Sequence, residues 1–162
     1  MKVLVTYMTQ SGNTRKVAEA LFDGVQVEKE IKEFSEVDGV DDYDLLFVGF
    51  PIQAFGPAEK ARKFMAEHLN GKRVALFITH ASPEDSPELQ VWLDGSKEAA
   101  ASAELIGMFN CQGELAPDIM EFLKSSDDPK LKSFGELGPT TKGQPDAERL
   151  ERARVFAREM TL

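Results

Sequence analysis

The sequence predicts an α/β protein, a three-layer sandwich in which a parallel sheet carries helices on both faces. Three observations predict it. Apolar runs alternate with helical patterns from start to finish, as strands joined by crossover helices require. One of those runs, Asp44-Leu45-Leu46-Phe47-Val48-Gly49-Phe50, is apolar enough for a buried strand. The chain's 162 residues suffice for a full three-layer core, and they are expected to form a single domain, 1–162.

The elements follow in order. Val3-Leu4-Val5 begins the first strand, and Val17, Leu21 and Val25 then recur every four residues on one helical face. Val27 to Phe34, charged and only partly alternating, reads as an edge strand. After the run 44–50, Pro57 opens a helix with Ala61, Phe64, Met65 and Leu69 on its inner face, stopped at Asn70-Gly71. Arg73 to Thr79 is the next strand. Ser86-Pro87-Glu88 starts a helix marked by Leu89, Leu93 and Ala100, with proline at its first position. Leu105 to Phe109 is a further strand. Ser125 to Gln144, rich in Ser, Gly, Pro and Lys, reads mostly as loop. Pro145-Asp146 introduces a last helix with Leu150, Ala153, Ala157 and Met160 inside and mixed charge outside.

Composition narrows the function. A net charge of −9 argues against nucleic acid, since phosphate backbones demand clustered Lys and Arg. The same charge suits encounter with basic protein partners. No apolar run approaches the roughly 20 residues of a membrane span. The apolar stretch of Met1 to Tyr7 is too short for a signal peptide, and the single cysteine, Cys111, excludes an internal disulfide. A cytoplasmic protein, monomeric or weakly dimeric, is expected.

The sharpest motif is Thr9-Gln10-Ser11-Gly12-Asn13-Thr14, between the first strand and the first helix. Small hydroxyl residues and a glycine let backbone N–H groups curl around an anion at a helix N-terminus. The loop contains no Lys or Arg, which suits a phosphate monoester that stays bound and is not transferred. An ordinary N-cap is the competing explanation, but a cap needs one such residue and this loop strings them together. Other phosphate sites fail on the text. The Gly-Lys-Ser/Thr pattern of a P-loop and the Gly-x-Gly-x-x-Gly fingerprint after the first strand are absent. A Cys-x5-Arg phosphatase fails at Pro117. The strand ends Tyr7-Met8-Thr9 and Gly49-Phe50 lack the acids of a phospho-receiver.

The loop resembles the phosphate loop of the flavodoxin family, T-x-[TS]-G-x-T, at every defined position. Gly49-Phe50-Pro51 is similar to that family's first flavin-contacting loop, and Thr79-His80-Ala81-Ser82-Pro83 lies where its second would be. Phe109-x-Cys111-Gln112-Gly113 and Gly143-Gln144-Pro145-Asp146 are similar to a branch of small bacterial flavodoxin-like proteins. The resemblance implies five parallel strands in the order 2-1-3-4-5, with FMN across their carboxyl edge. It implies that Thr9, Gln10, Ser11, Gly12, Asn13 and Thr14 hold the FMN phosphate. Pro51, Ile52, Gln53, Ala54, Phe55 and Gly56 would pass beside the isoalloxazine, and Thr79, His80, Ala81, Ser82 and Pro83 would cover its other side. Gly56 could flip its peptide to donate to a reduced flavin, or simply turn the chain before Pro57.

The family usually sandwiches its flavin between two aromatic side chains. Here the first loop offers Phe55 and the second only His80, which could stack on the ring or be merely solvated. One flavin face is therefore expected to be open. Trp92 reads as core or surface packing, and Cys111 as a small core residue with a redox role as the alternative. Carboxylates cluster at Asp38, Asp41, Asp42 and Asp44, and again at Glu84, Asp85, Glu88 and Asp94. The second group would lower the potential of a nearby flavin. An electron carrier between basic-surfaced redox proteins is the first expectation. A flavin-dependent NAD(P)H or quinone-type reductase and a cofactor-free binding module are the alternatives.

Overall fold

A computed structural model describes residues Met1–Leu162. The strands are β1 (Lys2–Tyr7), β2 (Glu28–Glu33), β3 (Leu45–Gln53), β4 (Gly56–Pro57), β5 (Arg73–His80) and β6 (Glu104–Gln112). The helices are α1 (Asn13–Gly24), α2 (Glu59–His68), α3 (Pro87–Ala99), α4 (Pro117–Lys124), α5 (Pro129–Leu137) and α6 (Ala147–Met160). The sheet order is β2-β1-β3-β5-β6, every neighbouring pair parallel. Counted without the short β4, this is the expected 2-1-3-4-5 order. The winding reverses between β1 and β3, so the loops leaving those two strands part and open a crevice at the carboxyl edge.

Alternating side chains of the central strands feed two cores. Leu4, Leu46, Val48, Leu76 and Ile78 pack with Ala61, Phe64 and Met65 of α2 and Leu89 and Leu93 of α3. Val3, Val5, Phe47, Ala75 and Phe77 pack with Val17 and Leu21 of α1 and Ala153 and Ala157 of α6. Phe47, Phe50 and Phe77 are fully buried, each contributing about 1.5–3 kcal/mol of burial. Gly49 makes room for this packing: a Cβ there would fall inside the Phe77 ring. Gly107 likewise lets α6 approach, since a Cβ would meet Met160 Sδ at 2.7 Å. No helix is long and apolar enough to cross a membrane.

Three expectations need correction. β3 does not end at Phe50; it runs on to Gln53 and turns back through β4, pairing Ile52 with Pro57 and Gln53 with Gly56. The strand expected at Leu105–Phe109 extends to Gln112 and takes in Cys111. The segment Ser125–Gln144 is mostly not loop. It contains α5 and a 3-10 turn, Gly138–Thr141, and α4 precedes it. Gly135 and Gly138 mark helix contacts rather than loops, whereas Gly143 turns the chain at φ 82°. A Cβ on Gly135 would meet Lys124 N at 2.6 Å, and one on Gly138 would meet Met120 Cγ at 2.7 Å.

Candidate functional site

The loop after β1 is shaped by its own side chains. Thr9 Oγ1 accepts from Gly12 N at 3.0 Å, and Ser11 Oγ accepts from Asn13 Nδ2 at 3.3 Å. Gly12 caps α1 in the left-handed region at φ 96°, where an L side chain would cost about 1–2 kcal/mol. The space on its Cβ side is open to 4 Å. The N–H groups opening α1 have no preceding turn to bond to, so they face outward with the positive end of the helix dipole. Asn13 also donates to the Glu114 carbonyl at 2.9 Å, and Gly113 lies so close that a Cβ would meet Asn13 Nδ2 at 2.6 Å. The loop after β6 thus flanks the loop after β1. Thr14 is turned inward: its hydroxyl and that of Thr79 share a buried hydrogen bond of 2.8 Å.

Gln10 and Gln53 join this loop to the β3–β4 hairpin, with Gln53 Nε2 donating to Gln10 Oε1 at 2.8 Å. The hairpin's two turn residues, Ala54 and Phe55, have φ values of 50° and 65°. A two-residue turn of the I′ kind demands positive φ at both positions and normally uses Asn-Gly. Ala-Phe there holds strain of about 1–3 kcal/mol per residue. Gly56 has ordinary negative φ and sits in the ladder opposite Gln53. A Cβ on it would meet the Arg62 guanidinium at 2.9 Å. Phe55 is 43% exposed, with ring centroids of Trp92 at 5.8 Å and Phe134 at 5.7 Å. Lys130 Nζ lies 5.2 Å above the same ring.

The loop after β5 starts from Thr79 and His80. His80 is neither solvated nor free to stack; it is 5% exposed, and Ser82 N donates to its Nδ1 at 3.2 Å. The proton therefore belongs on Nε2, which donates to Asn110 Oδ1 at 3.1 Å. Burial pushes its pKa below the usual histidine value, against the pull of Asn110 and Glu84. Ser82 is buried, Ala81 and Pro83 half-buried, and Gln112 Nε2 donates to the Ser82 carbonyl at 3.2 Å. Cys111, opposite Thr79 in the ladder, is buried and its thiol is pushed up to about 12, chiefly by burial. It stays a protonated core residue at neutral pH.

Of the second acidic group, Glu84 pairs with Arg149 at 2.8 Å, and Arg149 also holds Asp146 at 3.1 Å. The first group precedes β3 and so lies at the amino edge of the sheet, away from this site. The structure brings the loops 9–14, 51–56 and 79–83 to adjacent strands of one edge. Phe134, Lys130, Asn110 and Arg149 escape the sequence reading. Only Asp128-Pro129, a capping residue before a first-turn proline, could have signalled α5.

A helix head with outward N–H groups, beside two loops at a topological switch point, defines an α/β protein with its crevice at the carboxyl edge of the sheet, where ligands of such sheets bind. The flavodoxin domain profile matches residues 4–158, and the chain belongs to the flavodoxin domain family. It is 32% identical over 172 residues to the flavodoxin-like domain-containing protein BilS of Clostridioides difficile (strain CD3), covering 100% of this chain and 97% of that one. Its fold is similar to a flavodoxin from the domain Archaea, with TM-score 0.62, 17% identity and coverage of 99% and 96%. It is also similar to a flavoprotein in complex with FMN from Lactobacillus acidophilus NCFM, with TM-score 0.55, 21% identity and coverage of 67% and 92%.

Proposed function

We propose that this chain holds one FMN at the carboxyl edge of its sheet and carries electrons between basic-surfaced redox proteins, as a monomer or weak dimer. The observation that carries the reading is the cradle at the head of α1. Left-handed Gly12, open space on its Cβ side and outward N–H groups form a donor set without a cation. Such a set suits a monoester phosphate that is held rather than transferred. The Lactobacillus flavoprotein, similar in fold, is one in complex with FMN.

FMN, when bound, supplies the electron chemistry, while the protein supplies orientation and electrostatics. The loop 9–14 would fix the phosphate end, and the Gln10–Gln53 bond ties that loop to the hairpin that would flank the ring. Thr79 and His80 brace the loop 79–83 from below. His80 has both ring nitrogens spent on Ser82 and Asn110, and Cys111 keeps its thiol proton. Neither is a ready acid, base or nucleophile for substrate, which favours a carrier over a reductase.

The test is a visible spectrum of the purified protein titrated with FMN, followed by stepwise reduction. Bound FMN near one per chain, reduced in two separable one-electron steps, is expected. Direct two-electron reduction with rapid turnover by NAD(P)H would replace the carrier with the reductase. No binding would overturn both and leave a fold kept as a binding module.

A further inference from the structure

The two edges of the sheet are built differently. β2, at one end, reads Glu-Lys-Glu-Ile-Lys-Glu, charged at every position but Ile31. Charged side chains of this kind, lysine above all, keep an open edge from pairing with another chain. β6, at the other end, pairs only with β5 on its inner side. From Leu105 to Gln112 it reads Leu-Ile-Gly-Met-Phe-Asn-Cys-Gln, with no charge and no proline. Leu105 to Asn110 are only half-buried. This edge lacks the protection that β2 has.

The free groups of the β6 edge follow from its register. Gly113 N donates to the His80 carbonyl at 2.7 Å. Counting back by alternate residues, Cys111, Phe109 and Gly107 turn their amides to β5, while Met108 and Asn110 turn theirs outward. On its α6 side the strand borders a groove lined by Phe109, Phe156 and Val155, with Arg152 and Glu159 on its wall. The Phe109 and Phe156 rings stand 5.7 Å apart, so α6 lies against the strand at this level. Val155, the next residue, is 39% exposed. One axis perpendicular to the sheet therefore passes close to both Met108 and Val155.

We propose that β6 pairs antiparallel with β6 of a second copy of this chain, joining the two sheets into one about a two-fold axis at Met108. The Met108 N–H and C=O groups then bond their counterparts reciprocally. Phe109 of one copy lies across from Gly107 of the other, a pairing in which an aromatic ring shields an edge glycine. A second copy is the occupant because the surface complements itself, as an isologous interface must. The same axis sets α6 antiparallel to its counterpart, with Val155 against Val155. Arg152, held within its own chain by Glu148 at 2.6 Å, then also faces Glu159 of the second copy, and the reverse pair repeats it. The net charge of −9 keeps the dimer weak through long-range repulsion, but none of it lies on residues 105–112. The inference is independent of the FMN reading.

The test is sedimentation velocity on the full chain from micromolar to millimolar concentration, with amide hydrogen exchange read residue by residue. The expected result is a monomer–dimer equilibrium. Exchange at Met108 and Asn110 should slow as concentration rises, while Gly107 and Phe109, already bonded to β5, hold constant. Val155→Glu, which sets like charges together on the axis, should weaken the dimer about tenfold. Arg152→Glu should weaken it severalfold, and adding Glu159→Arg should restore it. These positions are exposed on α6, so thermal melting should show every variant folded. A chain that stays monomeric at millimolar concentration would overturn the proposal. So would a dimer indifferent to Val155→Glu, or one whose Met108 and Asn110 amides exchange at the same rate at every concentration. Failure of the charge swap to restore the dimer would overturn the axis at Met108 and Val155.

Discussion

His80 shows how a single side chain can set the acid limit of a loop. Its imidazole is buried, bonded through Nδ1 to the Ser82 amide and through Nε2 to Asn110. A proton added at Nδ1 would break the Ser82 bond and place a charge in an apolar surrounding. Glu84 would ease that charge and Arg149 oppose it, and burial outweighs the rest to lower the pKa. The sign follows from proton counting. Below the ordinary histidine pKa of about 6.5 the unfolded chain takes the proton while the folded chain resists it. Stability is therefore constant above that point and falls as pH drops from there toward the folded pKa, by at most about 1.4 kcal/mol per pH unit for this group. Urea midpoints measured from pH 7.5 to 5.5 should decline in the wild type. In His80→Gln they should start lower and decline less. Parallel declines in the two proteins would show that His80 is not the group responsible.

At the scale of elements, α5 is the one whose formation depends most on its surroundings. Nine residues are too few for a helix to persist alone. Asp128 caps it by accepting from Lys130 N at 2.9 Å, and Pro129 starts it. Asp128→Ala should remove about 1 kcal/mol of local stability. Because α5 meets the core mainly through Phe134, that loss should open the segment 125–144 locally. Limited proteolysis there should speed up severalfold while the global urea midpoint barely moves. Cleavage that tracked global unfolding instead would mean that α4–α5 does not open on its own. The same helix marks the edge of what the sequence discloses. β3 and β5 were legible because Leu45–Phe50 and Val74–Ile78 are apolar on both faces, and only central strands need that. The phosphate loop was legible because its chemistry is local. α5 was not, because Gly135 and Gly138 look like breakers until α4 lies against them. The hairpin tip was hidden for the opposite reason: Ala-Phe carries no turn signal and is held there by tertiary contact.

For the molecule as a whole, the net charge of −9 sets two opposing demands. Under the proposed function the cradle at α1 would attract phosphate through short-range dipoles, yet a dianionic ligand must first approach an acidic protein. A basic redox partner meets the same field with the opposite sign. The two processes must then respond oppositely to salt. Raising ionic strength from about 0.01 M to about 0.1 M shortens the screening length from roughly 30 Å to 10 Å. Within the cradle little changes, since hydrogen bonds act at contact, but the long-range field is largely removed. FMN association, followed by stopped-flow flavin fluorescence, should accelerate as salt rises, while riboflavin, which lacks the phosphate, should hardly respond. Electron transfer from the reduced, loaded protein to a basic acceptor such as cytochrome c should slow over the same range. Both rates falling together would place a cationic surface beside the cradle and remove the basic-partner proposal. Two flat rates would mean that the acidic groups lie too far from the site to steer either molecule. The Asp38–Asp44 group precedes β3 on the amino side of the sheet, so the effect is expected from the carboxylates nearer the site. Arg149 is shared between Glu84 and Asp146, so one negative charge remains there; joint neutralisation of Asp85, Glu88 and Asp94, the other members of the second group, to Asn and Gln should weaken both salt dependences at once.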